Sequence, residues 1–204
     1  MSAPVLVCFA VPQEAKPFQR LIRGRDGIRV LLTGMGARNA ERSVREALGK
    51  FQPARVFTCG FAGALRPDLQ IGDVVCALET PVVGAEPVTF HCAVRVAVTI
   101  AEKTRLRTQT GADAVEMESA IITRLCREAG VPCVTLRAIS DTAHEDLPID
   151  FNALLTPDEQ LSPVKLAWAI LREPQKIPAL LRLGKNSARA ARRLAEVLGK
   201  VTTL

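Results

Sequence analysis

Two carboxylates and one arginine, close together in the chain, are the residues best suited to chemistry. Glu118 follows a short apolar run, and Arg137 and Asp141 belong to the run VTLRAISD. A positioned carboxyl group can donate or accept a proton, and a guanidinium group can bind an anion. The residues between 116 and 141 are therefore candidates for acid–base chemistry.

The pattern around these residues predicts a strand, a helix and a second strand. They are the strand Ala112–Val115, a helix from about Met117 to Gly130, and the strand Val131–Ile139. In such a unit the two strands are neighbours and run parallel, so Glu118 and Asp141 would lie at their carboxyl ends. Open α/β sheets bind ligands at that edge.

Strand and helix patterns also alternate through the first half of the chain, which predicts an α/β fold with a parallel or mixed sheet. The spacing predicts strands over Val5–Val11, Ile28–Thr33, Arg55–Cys59 and Asp73–Leu78, and helices over Ala15–Ile22 and Ala37–Lys50. Prolines and a glycine interrupt residues 79–98, where we expect an edge strand or a loop crossover.

The composition changes after residue 160. Two amphipathic helices with basic polar faces are expected there, so we divide the chain into a main part, residues 1–160, and a C-terminal helical extension of the same domain, residues 161–204. Two interpretations of the extension remain open. It packs on the main part, or its basic amphipathic faces contact a partner or a membrane surface.

Composition limits the class of protein. The chain has 204 residues, 48% of them hydrophobic, so it forms a folded domain with a substantial core. Its six cysteines show no CxxC spacing, which favours a reduced, cytoplasmic protein without a metal site over a disulfide framework. A net charge of +6 with few aromatic residues does not favour nucleic-acid binding.

The apolar N-terminal segment lacks the features of a targeting signal. APVLVCFAV has neither a basic region before it nor a small-residue cleavage site after it, so we expect a buried strand there. No apolar run approaches the ~20 residues needed to span a bilayer.

Several motifs carry a family resemblance. They are VEMES at residues 115–119, RAISD at 137–141, LLTGMGARNAERSV at 31–44 and CGFAGALRPDLQIGDVV at 59–75. Together they resemble the nucleoside phosphorylase superfamily, in particular its methylthioadenosine/S-adenosylhomocysteine nucleosidase branch. The resemblance implies a single-domain, three-layer α/β fold with a central mixed sheet flanked by helices. It also implies a small-molecule nucleoside substrate, no cofactor apart from phosphate as co-substrate if the enzyme is a phosphorylase, and a homo-oligomer, expected to be a dimer.

The resemblance assigns roles to the acid and to the ribose-binding residues. Asp141 would protonate the purine N7, with Ser140 orienting it; alternatively, Asp141 only caps the following turn. Glu118 would accept hydrogen bonds from the ribose 2′- and 3′-hydroxyls, and Met117 would pack on the ribose. The alternatives are a carboxylate that only complements a helix dipole and a methionine that fills the core. Glu116 is expected to be structural.

The nucleophile side of the site depends on Glu14. The register AVPQE resembles the first loop of the nucleosidases, in which the last Glu activates water, and Arg137 would pair with that Glu or with an anionic nucleophile. A carboxylate there would repel phosphate and favour hydrolysis. The alternative is a solvated acid in the first turn of a helix.

Glycines and two phenylalanines complete the candidate site. The turn of Gly34 and Gly36 offers N–H groups to an anion or a water molecule, and Gly63 allows backbone to approach the ligand. Phe61 stands where the superfamily usually has Ser or Thr, which removes a hydroxyl donor. Phe151 matches a position that lines the 5′-substituent pocket; alternatively, it is a core residue.

The middle of the chain is short, and we interpret Val94–Lys103 as the remnant of a missing strand that carries the base-binding motif. The short middle, SDTAHEDLP at residues 140–148 and the C-terminal tail are also similar to hopanoid-associated phosphorylase-like proteins, which implies adenosylhopane as substrate. The leading hypothesis is an adenine-nucleoside nucleosidase with an apolar 5′ group. The alternatives are a purine nucleoside phosphorylase and a non-catalytic nucleoside-binding protein. A dinucleotide-binding oxidoreductase is disfavoured because the glycine turn follows the second strand instead of the first.

Overall fold

The computed structural model describes residues 3–156 and 162–202, which form a mixed sheet flanked by helices. The strands are β1 (Val5–Phe9), β2 (Ile28–Leu32), β3 (Arg55–Ala64), β4 (Val74–Ala77), β5 (Glu86–Val88), β6 (Phe90–Cys92), β7 (Ala114–Glu116) and β8 (Cys133–Asp141). The helices are α1 (Pro12–Leu21), α2 (Gly36–Lys50), α3 (Ile100–Thr110), α4 (Ser119–Glu128), α5 (Phe151–Leu154), α6 (Pro163–Arg172) and α7 (Ile177–Val201), with a 3-10 turn at Pro174–Lys176.

The main path of the sheet has the order β2-β1-β3-β8-β4-β5. Strands β2, β1, β3 and β8 run parallel to one another, and β4 runs antiparallel to β8. The α/β class and the mixed sheet predicted from the sequence are therefore confirmed.

Successive residues of the central strands pack against helices on opposite faces of the sheet, which gives three layers: helices, sheet and helices. In β1, Val7 and Phe9 pack with α1 and α7 on one face of the sheet, while Leu6 and Cys8 pack with α2 and α4 on the other. Both faces of β1 are apolar because helices cover both sides of the sheet.

The carboxyl end of β3 extends beyond its predicted limit, Cys59, to Ala64. This added segment contains Gly60 and Gly63. The register with β8 shifts between Ala62 and Gly63, and Gly63 comes to lie opposite Asp141. The extension brings the backbone of β3 into the candidate site.

The predicted arrangement of the strands that carry the acids is wrong. Strand β7 is not a parallel neighbour of β8; it pairs antiparallel with β3, through Gly63↔Val115 and Ala64↔Ala114. Strand β7 has only three residues. It pairs with the carboxyl end of β3, on the edge of β3 opposite to β8. The acids therefore approach each other across β3.

No strand forms over Val94–Lys103, and the interpretation of this segment as the remnant of a base-binding motif remains a prediction. Helix α3 begins at Ile100, because Thr99 and Glu102 form a capping box, and it ends at Gly111 in the left-handed conformation. Residues 79–98 contain the short strands β5 and β6, of which β5 lies at the sheet edge.

The two C-terminal helices differ in burial. The second half of α7 belongs to the core, where Ala190, Leu194 and Leu198 pack in the same cluster as Phe9 and Phe18. No residue of α6 is buried. All six cysteines are free thiols, and four of them are buried.

Candidate active site

A cavity of about 250 Å³ contains most of the residues singled out from the sequence. It is lined by Glu14 from α1, by β3 and β7 with the segment that follows β7, and by the end of β8. The predicted site residues that line it are Glu14, Phe61, Gly63, Met117, Glu118, Ser140, Asp141 and Phe151. Arg137 is buried beside the acids, and Met35, between Gly34 and Gly36, is part of the wall.

Glu14 is held by backbone N–H groups. Its Oε1 accepts from the N–H of Phe61 at 2.8 Å, and its Oε2 accepts from Ala10 at 3.0 Å and from Val11 at 3.2 Å. Burial raises the pKa of Glu14, although these N–H groups and Arg137 oppose the rise. A buried carboxylate with a raised pKa is suited to act as a general base.

Gly60 makes the position of Glu14 possible. A Cβ atom at residue 60 would lie 2.7 Å from Glu14 Oε1, which is closer than atoms can pack. Phe61 contributes its main-chain N–H to the site, whatever side chain it carries. Its ring packs against the core between the sheet and helices α1 and α7.

Arg137 pairs with the acids of the β7 segment. Its Nη2 lies 2.5 Å from Glu116 Oε2 and 3.9 Å from Glu118 Oε2. The expected ion pair with Glu14 is not formed among the described residues, because Glu116 at the end of β7 takes that place. Burial alone would lower the pKa of Arg137, but the acids, Glu116 first, raise it.

Two nitrogens of this guanidinium, Nε and Nη1, are buried and have no hydrogen-bond partner in the described part of the chain. Buried donors almost always have a partner, protein or water. A bound water or an oxygen of a ligand would satisfy them.

Glu116 has a structural environment. Its carboxylate accepts from the N–H and Oγ of Ser119 and from the N–H of Glu118, so it caps the start of α4. Burial would raise the pKa of Glu116, but Arg137 and Ser119 outweigh that effect and lower it. Glu116 is therefore an ionised counter-charge for Arg137.

One carboxylate oxygen of Glu118 accepts a hydrogen bond from the backbone, and the other lies near Arg137. Its Oε1 accepts from the N–H of Gly36 at 2.9 Å, at the start of α2, where the helix dipole favours negative charge. Burial raises the pKa of Glu118 to about 7; Arg137 opposes the rise, and Glu116 and Glu14 add to it. The carboxyl group therefore titrates near neutral pH.

Asp141 is held by two donors. Its Oδ1 accepts from Ser140 Oγ at 2.7 Å, and its Oδ2 lies 2.6 Å from Lys103 Nζ. Gly63 allows this approach, because a Cβ atom there would lie 3.0 Å from Asp141 Oδ2. The site thus fixes the orientation of the carboxyl group on both oxygens.

Lys103 is one of the residues that sequence reasoning missed. It is only 1% exposed, and its ammonium group donates to Asp141, to the Thr142 carbonyl at 2.7 Å and to the Glu145 carbonyl at 3.0 Å. All three protons are therefore used. No local signal identifies this lysine, because it stands among the charged residues of IAEKTRLR.

The glycine turn is also part of the site. The N–H of Gly34 donates to the Ala10 carbonyl at 3.1 Å, and the N–H of Gly36 donates to Glu118. Both glycines have positive φ, +85° and +79°, which other residues rarely adopt. Binding of an anion or a nucleophilic water by this turn remains a prediction.

The cavity lining is largely apolar. It includes Val11, Met35, Val96, Leu147, Phe151 and Leu183. Leu183 comes from α7, so the C-terminal helices contribute to the site. Sequence reasoning missed Leu183 and Met35, because apolar residues in helices and turns carry no mark of function.

Two further features concern only the described residues, 3–156 and 162–202. They contain no group of His, Cys, Asp and Glu side chains that could hold a metal ion. None of their helices is both long enough and apolar enough to cross a membrane.

Comparison with known proteins adds a family. The sequence profile of the phosphorylase superfamily matches residues 9–91 and 79–172. Among curated proteins, a 5′-methylthioadenosine/S-adenosylhomocysteine nucleosidase of Anoxybacillus flavithermus is 28% identical, with coverage of 64% of this chain and 75% of the relative. An aminodeoxyfutalosine nucleosidase of Campylobacter jejuni is 26% identical, with coverage of 63% and 73%.

Solved structures show the same fold. The futalosine hydrolase of Helicobacter pylori superposes with a TM-score of 0.72 at 18% identity, covering 99% of this chain and 98% of that one. The 5′-methylthioadenosine/S-adenosylhomocysteine nucleosidase of Neisseria meningitidis, in complex with methylthio-immucillin-A, gives a TM-score of 0.68 at 20% identity over the full length of both chains.

Proposed function

Because this chain belongs to the phosphorylase superfamily, we propose that it is an N-ribosyl nucleosidase that hydrolyses an adenine nucleoside with an apolar 5′ substituent. The observation that carries the proposal is the placement of Glu14, Glu118 and Asp141 around one cavity. Each carboxyl group has a different set of partners, and the reaction needs three different roles.

The first role is departure of the base. The bond between C1′ of the ribose and the purine nitrogen breaks, and its electron pair moves onto the base. Asp141, which takes up a proton from solvent before this step, gives it to N7 of the base, and the base leaves as neutral adenine. Ser140 and Lys103 hold the carboxyl group in position, and Lys103 compensates the negative charge that remains on Asp141.

The second role is delivery of water. Glu14 accepts a proton from the water whose oxygen bonds to C1′, and the products are the free base and the 5-substituted ribose with a free anomeric hydroxyl. The buried guanidinium of Arg137 supplies positive charge beside the acids of the site. The carboxylate of Glu14 disfavours a phosphate dianion in the same place, since like charges within about 4–6 Å repel each other.

The third role is binding of ribose. Glu118 in its ionised form accepts hydrogen bonds from the 2′- and 3′-hydroxyls, and Met117 packs against the sugar. Gly36 fixes one oxygen of Glu118, so the carboxylate is oriented before the substrate arrives.

The 5′ substituent is assigned from the apolar wall. Val11, Met35, Phe151 and Leu183 are apolar residues of the cavity lining, which also includes Arg95 and Ser187. A thioether, as in methylthioadenosine and S-adenosylhomocysteine, fits this chemistry. So does a larger hydrocarbon group such as the triterpenoid of adenosylhopane, which would place the enzyme in hopanoid biosynthesis.

The test is a chromatographic assay of adenine release from adenosine, methylthioadenosine, S-adenosylhomocysteine and an adenosine with a long 5′ alkyl group. We expect faster release from the nucleosides with apolar 5′ groups than from adenosine. We also expect Asp141→Asn to lower kcat by about 10²–10⁴-fold, the usual contribution of a positioned proton donor. Asp68→Asn is the matched control, because Asp68 is exposed and distant from the cavity.

Two outcomes would contradict the proposal. Binding of these nucleosides without release of adenine would assign the chain to the non-catalytic class. Equal activity of Asp141→Asn and wild type would remove Asp141 from the mechanism.

A further inference from the structure

The segment from α6 into the first half of α7 exposes large apolar side chains to solvent. Val164 is 67% exposed, Trp168 59%, Leu171 73% and Leu181 63%, and Ile177 is also exposed. We call these five residues the apolar strip. Exposed apolar patches on folded proteins commonly mark interaction surfaces.

Helical spacing aligns the members of the strip within each of the two helices. Val164, Trp168 and Leu171 follow one another at intervals of four and three residues along α6, so they lie on one side of that helix. Ile177 and Leu181 are four residues apart at the start of α7. The second half of α7 differs, because its apolar residues pack in the core.

The strip is accompanied by positive charge. Residues 162–189 contain six basic residues, Lys165, Arg172, Lys176, Arg182, Lys185 and Arg189, and one acidic residue, Glu173. Glu173 is already paired with Lys176 at 2.8 Å. The Arg172 guanidinium lies 5.7 Å from the centre of the Trp168 ring, so charge and apolar surface are adjacent.

We propose that this face docks on an anionic lipid bilayer. In an interfacial helix the apolar side enters the boundary between head groups and acyl chains, and the basic side chains reach the phosphates. A second copy of the chain fits less well, because a two-fold interface would place this basic patch against the same basic patch.

Docking also has a consequence for the cavity. Leu183 and Ser187 line the cavity from the same part of α7 whose Leu181 faces solvent. Helix α7 therefore carries part of the docking face and part of the cavity lining. A substrate with a long apolar 5′ group would enter from the bilayer in which it is dissolved; this last step rests on the proposed function, whereas docking does not.

The test uses the full chain without substrate. Trp168 is the only tryptophan of the protein, so its fluorescence reports on the strip alone. With phosphatidylcholine vesicles that contain phosphatidylglycerol, we expect the protein to co-sediment and the Trp168 emission to shift to the blue. With phosphatidylcholine alone we expect neither effect, and added salt should weaken binding.

Variants separate the apolar and the charged contributions. Leu171→Glu should abolish binding, and its matched control is Val83→Glu, another largely exposed apolar position outside the strip. Arg182→Gln should weaken binding about fivefold, the usual effect of one basic residue at an anionic surface. Its control is Arg127→Gln on α4, in the helix layer on the opposite side of the sheet. Because these positions are exposed, the variants should fold and keep their activity on a water-soluble nucleoside.

Three results would overturn docking. The first is absence of co-sedimentation with anionic vesicles, and the second is equal vesicle binding by Leu171→Glu and Val83→Glu. The third is a blue shift of the Trp168 emission that needs no vesicles, grows with protein concentration and accompanies a doubling of the particle size. The last result would assign the strip to a dimer interface. None of them depends on turnover, so failure of docking and failure of the proposed reaction are distinguishable.

Discussion

The position of Glu14 depends on a glycine in another element. The space occupied by Glu14 Oε1 is the space that a side chain at residue 60 would need, since the two atoms would be 2.7 Å apart. The sequence shows a glycine-rich segment, but only the structure shows which carboxylate it accommodates.

We predict that Gly60→Ala lowers kcat/KM by about 10²-fold, because a displacement of about 1 Å of a catalytic group has effects of that size. The control is Gly49→Ala in α2, where an added Cβ meets nothing within 4 Å. Steady-state kinetics on both variants checks this. If both keep wild-type activity, the close fit between Gly60 and Glu14 is irrelevant to catalysis.

Glu118 should link pH to ligand binding. Its carboxyl group has a pKa of about 7, and the ionised form is the one that accepts the sugar hydroxyls. We therefore predict that an unreactive nucleoside analogue binds more tightly as pH rises through 7. In Glu118→Gln this dependence should be lost, which calorimetry at several pH values would detect. If the variant keeps the same pH dependence of binding, a group other than Glu118 causes that dependence.

Glu118 should also link pH to stability in the absence of ligand. Because its pKa in the folded protein is above the ordinary 4.5, its contribution to stability is full at low pH and is lost as pH rises through about 7. Glu118→Gln should therefore have a higher Tm than wild type at about pH 8 and a similar Tm at about pH 4, below both pKa values. Thermal denaturation checks this prediction, and a lower Tm of the variant at the higher pH would contradict it.

At the scale of elements, periodic patterns predicted the bounds of strands and helices well, but they did not predict which strands pair in the sheet. Strand β1 and helix α2 are close to their predicted bounds, because apolar runs and helical spacing are local. The partner of the three-residue strand β7 is decided by which edge of β3 is free, and no local pattern encodes that. The same limit hid Lys103, whose role depends on where α3 packs.

Helix α3 should act on catalysis through Lys103. We predict that Lys103→Met lowers kcat more than it changes KM, because Asp141 loses the donor at 2.6 Å that fixes one of its oxygens. The Thr142 and Glu145 carbonyls also lose their donor, so Tm should fall as well.

A purely structural role for Lys103 would lower Tm and the amount of folded enzyme but leave kcat per folded molecule unchanged. Activity should therefore be normalised to folded protein measured by circular dichroism. A control is Lys50→Met, at an exposed position at the end of α2. An unchanged kcat in Lys103→Met would exclude the proposed effect on Asp141.

At the scale of the whole molecule, the three-layer fold brings together catalytic candidates from elements that are distant in sequence. Glu14 comes from α1, Glu118 from the segment after β7, and Asp141 from the end of β8, and they meet around the carboxyl end of β3. The motifs predicted these residues because the types and their order resemble a family pattern. The sequence could not predict which side chains of α7 line the cavity, because Leu183 belongs to an ordinary amphipathic helix.

The choice between water and phosphate tests the central claim most directly. The measurement is turnover in water enriched in the heavy oxygen isotope, with and without phosphate, followed by mass spectrometry of the ribosyl product. We predict that the sugar product is a ribose without phosphate that carries one heavy oxygen, and that the rate is independent of phosphate. We also predict a severe loss of activity in Glu14→Gln. A ribosyl phosphate as product, formed at a rate that saturates with phosphate, would contradict the role assigned to Glu14.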